Sequence, residues 1–400
     1  MVKLNCVVLS AIFCAVALYG KFITVRNTGC KAVVSVKNVW LVQGSLASSP
    51  AKLSSGNVYS ATMSVQKVSG VVGTFTVNSS AKGFLPLLIP SKIIEFYSGA
   101  YFEQGENLCL KGAWNEQRQC FQVSSLENCL GYTGRIYKIR AVCRRAFKRL
   151  LSSWGNAGGL IISLLSGSRE YLMPDVEKSF RNAGLSHILA LSGMHLSFMA
   201  SFTGLLYSKI FGKKYEPLAK FSGILLFVWF AGFSPSLFRA FLFSMIIMIL
   251  TFFKCRIEKD CFVSVLAFAF LLHIVIRPQD VFTVAFMLSY AALLGILVCG
   301  NFIMQYIAFI FPPYIANSVS SSASAFIATS PVCICEFGSV NPIGIIATVI
   351  VSPLISSFFV LAVVGIVFSL IIPFLSPIFS VILNVLYCLI MFFVRFFARG

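Results

Sequence analysis

The chain has 400 residues, of which 58% are hydrophobic and only 11% are charged, and its formal net charge is +19. This composition, with a mean hydropathy of +0.87, excludes an ordinary soluble domain and predicts a polytopic α-helical membrane protein. The 32 Lys and Arg residues, against 13 Asp and Glu, lie mainly in the N-terminal half and in short loops. Their default explanation is orientation of the helices by the positive-inside rule.

The N-terminus carries an apolar run from Leu4 to Tyr19, flanked by Lys3 and Lys21. About 16 residues is short for crossing about 30 Å of hydrocarbon. Ala15-Val16-Ala17 is also similar to a signal-peptidase site. We favour a retained membrane anchor over residues 1–21, and either interpretation exports the segment that follows.

Residues 22–131 contain short alternating segments, such as Gly73 to Val77, that are separated by turn residues. Gly105 to Gly112 and Gln119 to Val123 predict two strands joined by a polar loop. We therefore predict a small exported β-domain, OB-like in fold. Such barrels often bind single-stranded nucleic acid, but the aromatic and lysine residues form no stacking stripe here, so a purely structural domain is an equal alternative.

Thirteen cysteines form no Cys-x-x-Cys pair, and five of them lie in the polar N-terminal region. If that region faces an oxidising compartment, a disulfide among these five is expected, and Cys109 with Cys120 is our candidate pair. The spacing of Cys333 and Cys335 is too short for a zinc half-site, so we expect neither a metal nor a cofactor.

Residues 132–170 predict a basic amphipathic and interfacial segment. Its first part has no acidic residue, and its apolar residues recur at helical spacing, as in a helix that lies on the bilayer surface. Trp154 to Gly167 is short and Gly-rich, which favours an interfacial or re-entrant helix. The cations are predicted to contact lipid headgroups or, alternatively, DNA phosphate, and they are Arg135, Lys138, Arg140, Arg144, Arg145, Lys148 and Arg149.

Residues 171–400 predict a transmembrane domain. Spanning segments are expected at 188–211, 217–233, 236–253, 261–276 and 281–300, and the apolar tract from 301 to 397 adds three to five more, for a total of about eight to eleven. Basic loops at 209–220 and 254–259 share one side of the membrane, which the positive-inside rule makes cytoplasmic. The hairpin tip at Ser234-Pro235-Ser236 and the turn at Gly184 then face outward.

Polar side chains in apolar helices are costly, so those in the predicted spans are the functional candidates. His187, Ser192 and His195 begin the first span, and Ser192 and His195 are adjacent on a helix. This group suits a pore contact, polar helix packing or a nucleophile–base pair, although no acidic residue lies nearby to orient the imidazole. Arg239 either snorkels to the outer surface or meets phosphate in a water-filled passage.

Two later segments complete the candidates. Asp280 either offsets Arg277 or caps the helix that contains Ser289. The small residues from Ser318 to Ser324, followed by proline breaks, indicate either close helix packing or a discontinuous helix beside a pathway.

Four short sequence segments, which we call islands, resemble the signatures of the ComEC competence family in chain order, and a fifth segment resembles such a signature weakly. Pro278 to Tyr290 departs from the family pattern, since Arg277 and Met287 stand where the family has Asn and Gln. The islands are Leu164 to Arg169, Gly184 to His187 with Ser192-Gly193-Met194-His195, Ser236 to Met245 around Arg239, Pro278 to Tyr290, and Asn341-Pro342 to Leu354.

The resemblance implies an inner-membrane channel, not an enzyme, that takes up single-stranded DNA and carries an OB-like domain on the outer side. It makes His187, Ser192, Gly193, His195, Arg239 and Ser289 the candidates for the DNA pathway. Expected partners are single-stranded DNA, membrane lipids, a DNA receptor and a cytoplasmic motor. The sequence has no His-x-His-x-Asp-His motif, so a nuclease is expected on another polypeptide. An intramembrane hydrolase using Ser192 and His195, and a non-transporting scaffold, are the alternatives.

Overall fold

A computed structural model describes residues 36–53, 58–72, 75–96, 102–253 and 261–399. The chain divides into two compact units. The barrel unit comprises the described residues up to Ser152 together with Ser168–Glu170, and the membrane unit comprises Ser153–Gly167 and the chain from Tyr171 onward. The predicted anchor at 1–21 and the predicted cytoplasmic loop at 254–259 lie outside the described residues.

The barrel unit is a six-stranded sheet. Its strands run in the order β1-β5-β6-β4-β3-β2, and β1 also pairs with β3, which closes five of them into a barrel. β4 and β6 are parallel, whereas the other pairs are antiparallel. The elements are β1 (Val39–Leu46), β2 (Ala51–Lys52), β3 (Val58–Val72), β4 (Phe75–Pro90), α1 (Ser91–Phe96), β5 (Glu106–Asn115) and β6 (Cys120–Tyr132).

Alternation of apolar and polar residues explains the barrel. Successive side chains of a strand point to opposite faces, and Val42, Met63, Leu108 and Phe121 all point into one closed core from which they expose nothing. A closed five-stranded barrel with a helix between β4 and β5 confirms the prediction of a small OB-like domain.

The predicted Cys109–Cys120 disulfide is wrong. Cys109 of β5 lies opposite Asn128, whereas Cys120 of β6 lies opposite Asn115. The two cysteines are therefore separated by about six residues along the ladder, or roughly 20 Å. A disulfide needs Cα atoms within about 7 Å of each other. Both cysteines are free, because the two strands pair in a register that sets them at opposite ends of the hairpin.

Helix α2 (Arg135–Ser152) is amphipathic, as predicted, but its charged face is buried. Arg144 Nε lies 2.9 Å from Glu103 Oε2, and Lys148 Nζ lies 2.8 Å from Glu103 Oε1 and 3.3 Å from Glu170 Oε2. Arg140 Nη1 donates to the side chain of Gln104 over 2.6 Å. The prediction that Arg140, Arg144 and Lys148 contact lipid or phosphate is therefore wrong.

The remaining cations of α2 have different surroundings. Arg145 is partly buried and pairs with Glu106 over 3.3 Å. Arg135, Lys138 and Arg149 are exposed, and their contact with lipid or phosphate stays a prediction. The apolar face of α2 is exposed as well, with Ile136 67%, Ile139 56% and Val142 54% exposed.

Burial and charge shift the acids of this cluster in opposite directions. Burial alone would raise the pKa of Glu103, but the adjacent Arg144 and Lys148 lower it below its ordinary value. Burial raises the pKa of Glu170, although Lys148 opposes the shift. Burial also lowers the pKa of Arg140 to about 10. Glu103 is thus the principal counterion of the buried cations.

The membrane unit is entirely helical in its described residues. Its helices are α3 (Gly155–Ser166), α4 (Pro174–Asn182), α5 (Ser186–Leu189), α6 (Gly193–Phe211), α7 (Glu216–Ala231), α8 (Pro235–Phe252), α9 (Cys261–Ile276), α10 (Val284–Ile307), α11 (Pro313–Phe337), α12 (Ile343–Ile371) and α13 (Ser376–Ala398). Five of them, α8 and α10 to α13, are long and apolar enough to cross a membrane, and α3 and α9 are shorter apolar helices. The chain is therefore a polytopic membrane protein, and the count of about eight to eleven spans stays a prediction.

Two boundaries differ from the sequence prediction. The expected span 188–211 is interrupted, because α5 ends at Leu189 and α6 begins at Gly193. Pro353 is one of the prolines that interrupt the apolar tract after residue 301, yet it lies inside the continuous helix α12. The apolar neighbours of Pro353 and the length of α12 outweigh the tendency of proline to break a helix. Membrane helices tolerate proline when the backbone groups that it leaves without hydrogen bonds are satisfied nearby.

The small residues of α11 serve close packing. An added Cβ on Gly295 of α10 would lie 2.6 Å from the Ser324 carbonyl oxygen, and Ser320 Oγ donates to the Gly300 carbonyl over 2.5 Å. These contacts use the small side chains and hydroxyls between α10 and α11. Of the two alternatives for Ser318 to Ser324, the structure favours packing.

Candidate functional site

The site is built around the first turn of α6. Ser192 is its N-cap residue and adopts an extended backbone. The Ser192 backbone N–H donates to His195 Nδ1 over 3.1 Å, and Ser192 Oγ lies 3.2 Å from the same nitrogen. His195 thus takes the role of the third residue in a capping box, which satisfies a backbone donor that the helix start leaves free.

This cap fixes the protonation pattern of His195. Because Nδ1 accepts the Ser192 N–H, the ring proton of the neutral imidazole lies on Nε2. Nε2 is buried and has no hydrogen-bond partner among the described residues. The ring packs on Phe359 of α12, with centroids 4.9 Å apart. An unused donor inside the helices is expensive, and it points to a ligand or water contact.

Arg239 lies beside this turn. It stands in the first turns of α8, and its Nη1 donates to the Ser289 carbonyl of α10 over 3.1 Å. A Cβ on Gly193 would lie 3.8 Å from Arg239 Nη2 and 3.4 Å from the Ala240 Cβ. The start of α6 therefore lies against α8 at a distance that a side-chain methyl group would also fit. Arg239 Nε is buried without a hydrogen-bond partner in the described chain.

Five of the six predicted pathway residues are thus neighbours. Ser192 contacts His195, the adjoining Gly193 lies beside Arg239, and Arg239 donates to the Ser289 carbonyl. His187 is different, because it is exposed on the short helix α5 and its hydrogen-bonding neighbour is the Gly184 backbone. The prediction that Arg239 snorkels to the outer surface is not supported, since its guanidinium bonds to another helix.

The turn before the site meets the start of α12. Gly184 has a positive φ of 72°, and an added Cβ would lie 2.9 Å from the Gly344 Cα. The Asn341 side chain donates to the Asn182 carbonyl. Two sequence islands about 160 residues apart are therefore in direct contact, and the second of them helps to position the turn that leads to Ser192.

A second polar group lies next to Arg239, and the sequence analysis missed it. His273 of α9 is fully buried, with Nδ1 3.2 Å from Tyr290 Oη and Nε2 3.2 Å from Asp280 Oδ2. Asp280 also pairs with Arg277 over 3.3 Å. Asp280 does offset Arg277, whereas Thr283 caps α10. A lone histidine in an otherwise apolar helix was the signal available.

Arg277 holds this group at one end of the helices. Its Nη1 donates to the Phe233 carbonyl over 2.9 Å, just before the hairpin tip at Ser234, and its guanidinium lies 5.9 Å from the Phe233 ring and 5.7 Å from the Phe238 ring.

Among the described residues, no group of three or more His, Cys, Asp or Glu side chains could hold a metal ion.

The fold and this site define a class: a polytopic helical membrane protein with a small barrel unit, whose membrane-unit polar side chains converge on the junction of α6, α8 and α10. The profile of the Competence protein family matches residues 164–400. This is more than half of the chain, and the chain belongs to that family. The family resemblance seen in the sequence islands is confirmed.

Two relatives fit this assignment. The chain is 22% identical over 196 residues to ComE operon protein 3 of Bacillus subtilis (strain 168), which covers 48% of this chain and 24% of that protein. It is 27% identical over 212 residues to an uncharacterized protein of Aquifex aeolicus (strain VF5), which covers 51% of this chain and 46% of that protein. The matches thus cover less than half of either relative. No solved structure matches the chain.

Proposed function

We propose that the chain is an inner-membrane channel that takes up single-stranded DNA during natural transformation. Membership in the Competence protein family supports a role in DNA uptake. The observation that carries the finer proposal is the position of Arg239, a cation held between membrane helices beside two buried or half-buried polar side chains, Ser192 and His195.

Arg239 is suited to a phosphate contact. Guanidinium has five N–H donors and binds phosphate in a planar, bidentate geometry. One donor group reaches Ser289, and Nε has no partner within the described residues. A cation in apolar helices needs a compensating anion or water, so a passing phosphate explains its presence. A single phosphate contact of this kind binds weakly enough for a polyanion to dissociate from it and move on.

His195 and Gly193 belong to the same proposed phosphate site as Arg239. The Nε2–H of His195 is a donor with no partner among the described residues, and Gly193 at the start of α6 lies beside the Arg239 head group. The backbone N–H groups at a helix N-terminus also favour an anion. A cationic donor of α8 thus lies close to the N-terminus of α6, which suits the backbone of a nucleic acid and not its bases.

The localisation and partners follow from the same proposal. We propose that the barrel unit lies on the outer side of the inner membrane, and the basic loops, which favour an outward-facing Ser234–Ser236 hairpin, are consistent with this proposal. DNA would reach it from a receptor, a separate nuclease would remove one strand, and a cytoplasmic motor would draw in the other.

A hydrolase that uses Ser192 and His195 is the second candidate, because the Oγ to Nδ1 distance of 3.2 Å suits a nucleophile and its base. The same Nδ1, however, accepts the Ser192 backbone N–H. In the described chain, no carboxylate bonds to Nε2 to orient the ring. Ser192→Ala would lower a hydrolase's turnover by several orders of magnitude, whereas a channel keeps most of its transport.

The deciding experiment measures uptake of labelled DNA in a competent host whose own family member is deleted. We expect Arg239→Ala to reduce uptake at least about tenfold and Arg239→Lys to restore part of it, since the loss of a charge-assisted contact costs about 1.5–3 kcal/mol. Arg395→Ala, at the exposed end of α13, is the matched control. Normal uptake by Arg239→Ala would refute the phosphate contact, and a deletion host that takes up no DNA when it carries the wild-type chain would favour the scaffold.

A further inference from the structure

We propose that His273, Asp280 and Tyr290 form a proton-binding site in the membrane unit, and that its occupancy controls conduction past Arg239. The second half of this inference rests on the proposed channel function. The site is defined by three contacts, from Tyr290 Oη to His273 Nδ1 at 3.2 Å, from His273 Nε2 to Asp280 Oδ2 at 3.2 Å, and from Tyr290 Oη to the Ala269 carbonyl at 3.3 Å.

Counting donors shows that this group has two protonation states. Tyr290 has one hydroxyl proton, and the Ala269 carbonyl oxygen can only accept. In the first state the hydroxyl donates to the Ala269 carbonyl over the 3.3 Å contact, and the Tyr290 oxygen is free to accept from Nδ1–H. Nε2–H then donates to the Asp280 carboxylate. Both ring nitrogens carry protons, and His273 is an imidazolium.

The second state lacks one proton. When Nδ1 is unprotonated, the Tyr290 hydroxyl rotates from the Ala269 carbonyl to donate to Nδ1, and Nε2–H still donates to Asp280. The two states therefore differ by one proton on Nδ1 and by one hydroxyl rotation. No heavy atom has to move, and every polar atom of His273 is bonded in both states. This is a site that can gain and lose a proton at little structural cost.

The charged and titratable neighbours in the described chain allow this change. Asp280, in the turn after α9, faces Nε2, and its charge is shared with Arg277, which lies 3.3 Å away. Arg239 of α8 is close enough to Tyr290 of α10 to interact with it electrostatically. Phe238 and Phe286 cover the imidazole edge-on, with centroids 4.8 and 4.9 Å away. Asp280 is thus an anion in contact with the ring, and Arg277 is a cation that shares this anion.

The position of the site connects it to the pathway and to solvent. Tyr290 directly follows Ser289, whose carbonyl holds Arg239. A proton on His273 adds one positive charge beside Tyr290 and rotates the Tyr290 hydroxyl. Tyr290 lies on α10, the same helix as Ser289. At the other end, the Arg277 side chain is 25% exposed and lies beside the hairpin tip, which the loop charges orient outward. The external pH therefore sets the occupancy.

The direct test observes the ring nitrogens of the full-length chain in lipid nanodiscs. Labelling histidine with ¹⁵N and recording two-bond ¹H–¹⁵N correlations reports which nitrogens carry protons, and His273→Gln assigns the signal among three histidines. We expect the His273 ring to change between the doubly protonated form and the Nε2–H form when the pH is varied over the range in which the chain stays folded. Asp280→Asn should shift this change to lower pH. One unchanging tautomer over the whole range would overturn the proposal.

The functional test measures DNA uptake at a series of external pH values. We expect the wild type to change uptake by up to about tenfold per pH unit, as a single titrating group does, and both Asp280→Asn and Tyr290→Phe to reduce this dependence to less than about twofold. Ser369→Ala removes a buried hydroxyl elsewhere in the membrane unit and should keep the wild-type profile.

The outcomes separate the two proposals. A protein that imports DNA with the same pH profile in all variants keeps the proposed function and refutes proton control. A chain that imports no DNA at any pH refutes the proposed function, while the histidine spectra still decide whether His273 binds the proton.

Discussion

Gly184 and Gly344 meet backbone to backbone, with a positive φ of 72° at Gly184 and no room for a side chain between them. Gly184→Ala should destabilise the membrane unit by about 1–3 kcal/mol, because alanine is strained at positive φ and its Cβ would overlap the Gly344 Cα. Thermal unfolding of the purified chain in detergent measures the loss. Gly300→Ala is the control, since the atoms nearest to its Cβ are 3.9 Å away. Equal stabilities would show that the contact is loose.

Asn384 of α13 anchors the start of α3. Its Nδ2 donates to the Trp154 carbonyl over 2.8 Å, and its Oδ1 accepts from the Ala157 N–H at 3.3 Å. Asn384→Leu should cost about 1–3 kcal/mol, since it leaves backbone groups unsatisfied in apolar surroundings. Urea unfolding followed by tryptophan fluorescence tests this, with the exposed Asn301→Leu as control. A larger loss for the control would contradict the assignment.

Glu103 and Glu170 share Lys148, but Glu103 also holds Arg144. Glu103→Gln should therefore destabilise the barrel unit by about 3–5 kcal/mol, as expected when one partner of a buried ion pair is removed. Glu170→Gln should cost much less, because burial already favours its neutral form. Limited proteolysis of both variants in membranes compares the two effects. Equal protease sensitivity of the two variants would show that Glu103 and Glu170 contribute equally to neutralising the buried cations.

Acid should weaken the barrel unit through Glu103. The pKa of this carboxyl is lowered from its ordinary 4.5, so its ion pairs stabilise the fold fully above that pH, and the stabilisation is lost as the pH falls through the lower, folded-state value. Glu103→Gln should remove this part of the acid sensitivity. The measurement is the unfolding midpoint at a series of pH values below neutral, and an unaltered pH dependence in the variant would count against the assignment.

Cys109 and Cys120 should remain thiols even under oxidising conditions, since the register of β5 and β6 separates them. Non-reducing electrophoresis after mild oxidation should give the same mobility for the wild type and for a variant with Cys109→Ser and Cys120→Ser. A faster band that only the wild type shows would require a different strand register.

Local patterns predicted much of the fold. The strands β5 and β6, the helix at α2 and the apolar helices from α7 onward follow from side-chain periodicity and hydropathy, which act over neighbouring residues. The adjacency of Ser192 and His195 also followed from their spacing, although a cap and not a helix interior brings them together.

Long-range pairing escaped prediction. The basic face of α2 was assigned to the bilayer surface because its own segment has no acid, whereas Lys148 pairs with a carboxylate 45 residues earlier and another 22 residues later. His273 was passed over because its partners lie on a different turn and a different helix, 7 and 17 residues away. Each miss concerns a polar group whose compensation is remote in the chain.

The barrel unit is discontinuous along the chain. The chain leaves this unit after Ser152 and returns to it at Ser168–Glu170. There, Ser168 Oγ lies 2.9 Å from Arg144 Nη2, and Glu170 pairs with Lys148. A polypeptide that stops at Ser152 would lack both of these contacts, and Arg144 and Lys148 would then share Glu103 without the help of Ser168 and Glu170. Synthesis must therefore proceed beyond α3 before the barrel unit can reach its final charge balance.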